Sequence, residues 1–385
     1  MIMYRIVNTR LVIEKPVTHE KYYPPVIRAS TQQTYPFSIS YADIEIVSNT
    51  QAGTSGYIGQ VRFDDIVRLQ VSIKYNPYQK TVWQDIFQGR IMDMSSQFGN
   101  SNNVTLFCQG HEVEAETAVI EEDYSFSTAT DARSVLSYFS KYLTRLSYSA
   151  SYADTGTSFP TYDSTANQTY MRDLFSDMEA VSGYNWAVKV VPMYAGGNLS
   201  TRYIQWREMS QTASEQYKII EGTSRMLNAD FEVAGKGVRT AYRIYGDTPE
   251  GGSQYTGYAS DASLISLYGK RTEVDTQTWV HSNSLAAAIA AGQLSEWKTP
   301  DVSGQVELIG TPEAEIGDLV YCKIPSEELN GASVDGNFTV YRVNHEIDRN
   351  SFKTYLDLGK VKKSIYDYIG QVSTVAKTCK KNQVK

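Results

Sequence analysis

Three cysteines in 385 residues, Cys108, Cys322 and Cys379, are too few and too far apart for a disulfide framework or a metal knuckle. That scarcity fits folding in a reducing cytoplasm, with the first two as small buried hydrophobes. Basic excess is lacking too: 36 Lys and Arg against 43 Asp and Glu leave a net charge of −7, so duplex binding by counterion release has no footprint. No apolar run approaches a membrane span, and MIMYRIVNTRLVIEK lacks the basic, apolar, small-residue order of a signal peptide. No membrane anchor and no standard export are expected. The sequons at Asn103, Asn167, Asn198 and Asn337 carry no weight without secretion.

What is abundant is tyrosine: 29 Tyr against 12 Phe suits half-buried strand faces and subunit contacts, where a ring packs and its hydroxyl stays wet. With 41% apolar and 21% charged residues the chain is a folded protein, and its length implies two to four domains.

Strand signals open the chain. RIVNTRLVI, YADIEIV and DIVRLQVSI are short β-branched runs separated by turn material such as Asn76-Pro77. FQGRIMDMSSQFGNSNNVTLFCQG, Phe87 to Gly110, then alternates with period two on either side of a polar tip of roughly ten residues, as in a barrel hairpin. Near Asp123 the texture changes. Val135, Leu136, Phe139, Leu143 and Leu146 are spaced helically behind an N-cap at Thr130 or Asp131, and Met171, Leu174, Phe175, Met178 and Val181 share the face of a second helix ending at Gly183.

Strands resume at NWAVKVVPMY and RYIQWREM and continue from Met226 to Tyr245, after which GDTPEGGSQYTGYASD reads as a surface loop. An alanine-rich helix starts near Ser282 or Ser284, before Pro300; VSGQVELIG, EIGDLVYCKI and FTVYRVNHEIDRNSFKTYLDLG are further strands. Val361, Ile365, Tyr368, Ile369, Val372 and Val375 suggest a C-terminal amphipathic helix. The divisions are 1–120, a first β-barrel domain; 121–221, an α+β module with two helices; 222–360, a second β-barrel domain with an insertion at about 251–299; and 361–385, a helical tail.

An internal echo supports two similar domains. DIVRLQVSI…FQGRIMDM…NVTLFCQG matches DLVYCKIP…FTVYRVNH…FKTYLDLG, pairing Asp65 with Asp318, Phe87 with Phe338 and Gly110 with Gly359. The intervals are 22 and 23 positions in the first copy, 20 and 21 in the second.

Chemistry is harder to find. His111-Glu112 opens like a zinc-protease helix, but Ala115 stands where the second His must share the metal. His19, His281 and His345 have no ligand spacing. GKRT at Gly269 lacks the opening glycine, since Leu264 stands there, and Arg271 replaces the hydroxyl required after Lys270. Glu121, Glu122 and Asp123 are adjacent loop acids rather than a facing pair for sugar hydrolysis. No catalytic, cofactor-binding or metal residue is assigned, and no cofactor is expected.

In order along the chain stand Trp83, Phe87, Gly89 and Ile91; Tyr268, Gly269 and Arg271 before the alanine-rich helix; Gly317, Asp318 and Val320; and Tyr341, Val343, His345, Ile347, Thr354, Leu356 and Leu358. This order resembles the baseplate hub family of tailed phages and related contractile injection machines, from about Tyr4 to Gly359. By itself each residue has a plainer role: Trp83, Phe87 and Ile91 as barrel core, Gly89 as a backbone site, Gly317 and Asp318 as turn residues, and Ala286 to Ala291 as a closely packed helix face.

The resemblance implies a mainly β fold with α+β insertions: two similar β-barrel domains plus a small helix-containing module, assembling as a pseudo-sixfold trimeric ring. It implies a non-enzymatic structural protein of the virion tail baseplate, assembled in the host cytoplasm. The homotrimer would join the tail tube protein to a separate spike or needle protein, touch tape-measure and wedge proteins, and let DNA pass without specific binding. Needle proteins of type VI secretion continue into an oligonucleotide-fold domain and a β-helical spike, whereas this chain stops soon after Gly359, so a separate spike and a contractile-type baseplate are expected. Alternatives are a tail-associated receptor-binding adhesin using tyrosine-rich loops such as SQYTGYASD, or a cell-wall hydrolase whose constellation is not evident.

Overall fold

The computed structural model describes residues 6–35, 37–47, 60–74, 79–97, 103–125, 130–153, 158–159, 163–164, 169–181, 186–208, 218–222, 225–234, 238–246, 248, 252–276, 283–298, 301–329, 332–349 and 351–359. Gly183, Pro300, the C-terminal amphipathic pattern from Val361 and Cys379 lie outside the described residues.

Period-two alternation along the first runs makes strands: β1 (Ile6–Glu14), β2 (Lys21–Tyr22), β3 (Val26–Thr34), β4 (Tyr41–Val47), β5 (Ile66–Lys74), β6 (Gln84–Gln97) and β7 (Asn103–Gly110). The inward residues Leu11, Ile13, Ile44, Ile46, Val67, Leu69, Phe87, Ile91 and Leu106 form one hydrophobic core. The expected ten-residue polar tip after Met94 is shorter, because β6 runs to Gln97 and pairs Ser95 with Thr105 and Gln97 with Asn103.

Chain order then leaves this sheet. Helix α1 (Val113–Thr117), strands β8 (Tyr124–Ser125) and β9 (Thr130–Asp131), and α2 (Ala132–Phe139) lead to β10 (Ser158–Phe159), β11 (Asp163–Ser164), α3 (Met171–Val181) and the hairpin β12 (Trp186–Ala195) and β13 (Asn198–Glu208). Asp131 caps α2 by accepting from Ser134 N at 2.9 Å, as its sequence position predicts. Leu143 and Leu146, expected on that helix, lie beyond it yet pack in the same core as Phe139, Phe175, Met178 and Trp206.

The second half begins with β14 (Ile219–Ile220) and β15 (Met226–Ala234), continues through an insertion, and ends with β19 (Asp301–Ile309), β20 (Leu319–Leu329), β21 (Ala332–Ile347) and β22 (Phe352–Gly359). The insertion holds β16 (Ala241–Tyr245), β17 (Thr256–Ser260), α4 (Ala262–Tyr268), β18 (Thr272–Thr276) and α5 (Asn283–Trp297). The segment read as a surface loop therefore contains β17, antiparallel to β16; only tertiary pairing gives TGYAS its extended form. The alanine run packs closely because a Cβ on Gly257 would lie 2.1 Å from the Ala286 carbonyl carbon, so glycine and alanine let helix and strand approach.

Five strands of the first half, in the order β3-β4-β7-β6-β5, are matched by β15-β19-β22-β21-β20 in the second, with every neighbouring pair antiparallel. Bulges coincide. The β3/β4 ladder shifts between Val26 and Arg28 and the β15/β19 ladder between Met226 and Asn228. The β6/β7 ladder shifts between Ile91 and Asp93, and β21/β22 between Val340 and Arg342. Bulges bend a strand at a defined point, so the two that coincide give both halves the same bend at those points.

The leading turns coincide as well. Asp65 Oδ2 accepts from Arg62 N at 2.8 Å, and Asp318 Oδ2 accepts from Glu315 N at 2.9 Å. The residue before each is left-handed, Asp64 at φ 69° and Gly317 at φ 81°. Asp64 N donates to Ile91 O at 2.8 Å and Gly317 N to Val340 O at 2.7 Å; Ile91 N and Val340 N return the bond to Asp65 O and Asp318 O at 3.0 and 2.8 Å.

These bonds correct the echo's alignment. Gly89 faces Val67 as Phe338 faces Val320, so the counterpart of Phe338 is Gly89, that of Phe87 is Gly336, and that of Gly359 is Gln109. Asp65 to Ile91 spans 26 positions and Asp318 to Val340 spans 22, so the hairpins differ in length, which the pairing of Phe87 with Phe338 hides.

The halves share one sheet. β21 pairs with β3 from Arg342 opposite Thr34 to Ile347 opposite Ala29, joining both into a 13-stranded sheet. The outermost strands break the likeness: β1 runs antiparallel to β5, whereas β14 runs parallel to β20.

Candidate interaction sites at the module junction

The β12/β13 hairpin is a strut between the halves. Near its tip Arg68 stacks over the Tyr194 ring at 3.8 Å, and the Tyr194 hydroxyl donates to Gln88 Oε1 at 2.7 Å. Lys21 Nζ donates to Gly197 O at 2.7 Å, and Leu199 N donates to the buried Glu14 carboxylate at 3.2 Å. Toward its base Lys189 pairs with Glu315 at 2.9 Å, in the turn leading to β20. The Lys189 charge holds the Glu315 carboxyl below its usual range.

Between strut and sheet lies a cavity of about 400 Å³, whose walls include Tyr35, Phe37, Glu179, Val188, Glu315 and His345. Glu179 of α3 is fully buried; its Oε2 accepts from Phe37 N at 2.6 Å and its Oε1 from Val188 N at 2.8 Å. Burial pushes this carboxyl up to about 8 against the opposing pull of the two backbone donors. Glu179 thus ties α3 to β12 and to the segment after β3.

His345 is buried and held through Thr354, and burial lowers its pKa to about 4. His111 is buried as well, and Glu112 is half-buried with its Oε2 enclosed. Burial pushes Glu112 up to about 7 despite hydrogen bonds from Ser40, and burial with the Arg202 and Arg90 charges drives His111 well down. Among the described residues no group of three or more His, Cys, Asp and Glu side chains could hold a metal ion. No helix there is long and apolar enough to cross a membrane.

The singled-out residues fall into four places. Phe87, Ile91, Val343, Leu356 and Leu358 are core, and Cys108 and Cys322 are buried free thiols. Trp83, expected in the core, is instead half-buried under the Arg10 guanidinium at 4.3 Å, because it precedes β6 rather than lying on its inward face. Gly269 caps α4 at φ 74°, with Arg271 over the exposed Tyr268 ring at 5.8 Å. Glu122 pairs with Lys141 at 2.5 Å beside Tyr138 and Tyr142, a solvated corner.

Exposed apolar side chains gather on outer faces. Asp43 faces Phe107 across the β4/β7 ladder, with Tyr41 two positions along the same strand, while Tyr258 and Val274 flank Arg243 across β17-β16-β18. Sequence reading named SQYTGYASD as a contact loop; Tyr258 does reach the surface, but from a strand.

No protein-family profile matches the chain. No curated protein matches it by sequence. Solved structures do match in fold. The 43 kDa tail protein of prophage MuSo2 from Shewanella oneidensis superposes with a TM-score of 0.57 at 11% identity, covering 91% of this chain and 98% of that one. Prophage tail protein gp18 from Listeria monocytogenes gives 0.54 at 13% identity, covering 96% and 99%. A chain of the lidded Francisella PdpA–VgrG complex gives 0.56 at 8% identity over 92% of this chain but 53% of that one. The fold is that of phage tail proteins of this kind, as the resemblance to the hub family implied.

Proposed function

We infer that the chain is a structural baseplate hub of a phage tail, three copies forming a ring between a sixfold tail tube and a threefold spike. The observation that carries this reading is the repeated five-strand unit with two coincident bulges and a shared leading turn. Three chains that each offer two similar units present six comparable sites to a sixfold partner while keeping threefold symmetry toward another. The fold shared with two prophage tail proteins over nearly their whole length supports the same reading.

On this reading the two β-units are the barrel domains, the α+β module and its strut brace them, and the ring contacts tube, spike, tape-measure and wedge proteins. Its channel passes DNA without holding it, which the net charge of −7 favours, since each phosphate bound to Lys or Arg would slow transit. No catalytic step is required. Native mass spectrometry, alone and with the tube protein, tests the idea: masses in multiples of three chains of 43.2 kDa are expected. A monomer or dimer under both conditions would sink it, and binding to host cells in place of the tube would favour the adhesin reading.

A further inference from the structure

A second cavity, of about 360 Å³, lies where the first half meets the α+β module, and its charges do not balance within the protein. Asp64, Arg90, His111, Glu114, Arg145 and Arg202 line it. Asp64 serves two cations at once, Arg90 at 2.5 Å and Arg145 at 2.9 Å. Arg202 has no carboxylate within ion-pair distance among the described residues; its Nε–H donates to His111 Nδ1 at 3.1 Å. Three guanidiniums therefore face two carboxylates.

The hydrogen-bond inventory is just as uneven. Since His111 Nδ1 accepts from Arg202, the ring proton sits on Nε2, and that buried donor has no acceptor among the described residues. Glu114 Oε1 is crowded, accepting from Thr144 N, from Thr144 Oγ1 at 2.9 Å and from Arg145 N at 2.7 Å. Its Oε2 is buried with no donor among the described residues. Buried polar atoms left this way are costly, so a site with spare donors, a surplus positive charge and one spare acceptor is built for a complementary guest.

We propose that this cavity binds a phosphate group, free or as a monoester, held by Arg202, Arg145 and His111. A phosphate carries acceptors for the guanidinium forks and for His111 Nε2–H, and the P–OH kept by inorganic phosphate, or by the monoanion of a monoester, supplies the donor that Glu114 Oε2 lacks. Sulfate offers the same acceptors and no donor, so it meets Glu114 only with repulsion. The cation surplus is physically tense in the free protein: burial and the neighbouring Arg90 charge lower the Arg202 pKa to about 10. An anion there relieves that tension and ties β13, α1 and the segment at Arg145 together.

Calorimetric titration and thermal denaturation of the full chain with inorganic phosphate, sulfate or chloride at matched ionic strength decide the matter. Saturable phosphate binding is expected, with sulfate about tenfold weaker or worse. Arg202→Met should abolish it, and Glu114→Gln should bring phosphate and sulfate to about equal affinity, which no general salt effect would do. A nucleoside monophosphate run in parallel separates the two sources: tighter binding than inorganic phosphate marks a monoester ligand, equal or weaker binding the free ion. Equal responses to phosphate and chloride, or undiminished phosphate binding by a folded Arg202→Met protein, overturn the proposal. None of these readouts depends on oligomeric state, so failure here leaves the hub reading untouched.

Discussion

His345 and Thr354 are register partners across β21 and β22, and His345 Nδ1 lies 3.0 Å from Thr354 Oγ1. Thr354 Oγ1 also accepts from Thr311 N at 2.7 Å, so this one hydroxyl links the imidazole to the backbone at Thr311. Two residues of the recognised pattern, nine positions apart, are thus one buried polar pair.

Burial of that imidazole makes the second half sensitive to acid. The folded pKa of His345, about 4, lies below its ordinary 6.5, so its contribution is present above pH 6.5 and is lost as pH falls toward 4. The unfolded chain takes up the proton first. Urea denaturation should show a share of roughly 3 kcal/mol disappearing over that window, and His345→Gln should flatten this part of the profile. An unchanged pH slope in the variant would refute the assignment.

Glu179 has the opposite sign. Its folded pKa of about 8 lies above the ordinary 4.5, so its stabilisation is full below pH 4.5 and fades as pH rises through 8. Glu179→Gln should remove that alkaline decline, whereas Glu179→Ala should cost about 2–4 kcal/mol at neutral pH by orphaning Phe37 N and Val188 N. Chemical denaturation at pH 5 and 8.5 measures both.

The paired turns predict unequal tolerance to side chains. Gly317→Val should destabilise the second half by about 1–3 kcal/mol, because a β-branched residue resists a left-handed φ, while Gly317→Asn should cost under about 1 kcal/mol. Melting temperatures of the two variants should rank accordingly; equal melting would mean the turn relaxes at no cost.

At the strut, Tyr194→Phe removes only the bond to Gln88 and should cost about 1 kcal/mol, whereas Tyr194→Ala also removes the Arg68 stack and should cost about 2–3 kcal/mol. Limited proteolysis should then cut the alanine variant near Gly196-Gly197 well before the parent chain. Equal cleavage rates would show that Lys21 and Glu14 hold the tip unaided.

Much of this was legible in the text. Alternating Val67, Leu69 and Val71 announced a strand, Asp131 announced a helix cap, and the Asp65/Asp318 echo announced a repeated unit. Other features were not. Trp83 reads as core until the bound of β6 leaves it outside, and TGYAS reads as a loop until β16 pairs with it. The phosphate-type cavity had no sequence signal, because Asp64, Arg90, His111 and Arg202 share no local spacing.

Local periodicity, turn chemistry and composition settled, from sequence alone, where strands and helices form and that one β-unit recurs, since each depends on residues a few positions apart. Register, the join of β21 to β3, and the meeting of three arginines with two carboxylates were decided only by the tertiary structure. Loop length sets those contacts, and a chain can change it without altering the pattern of either strand it connects.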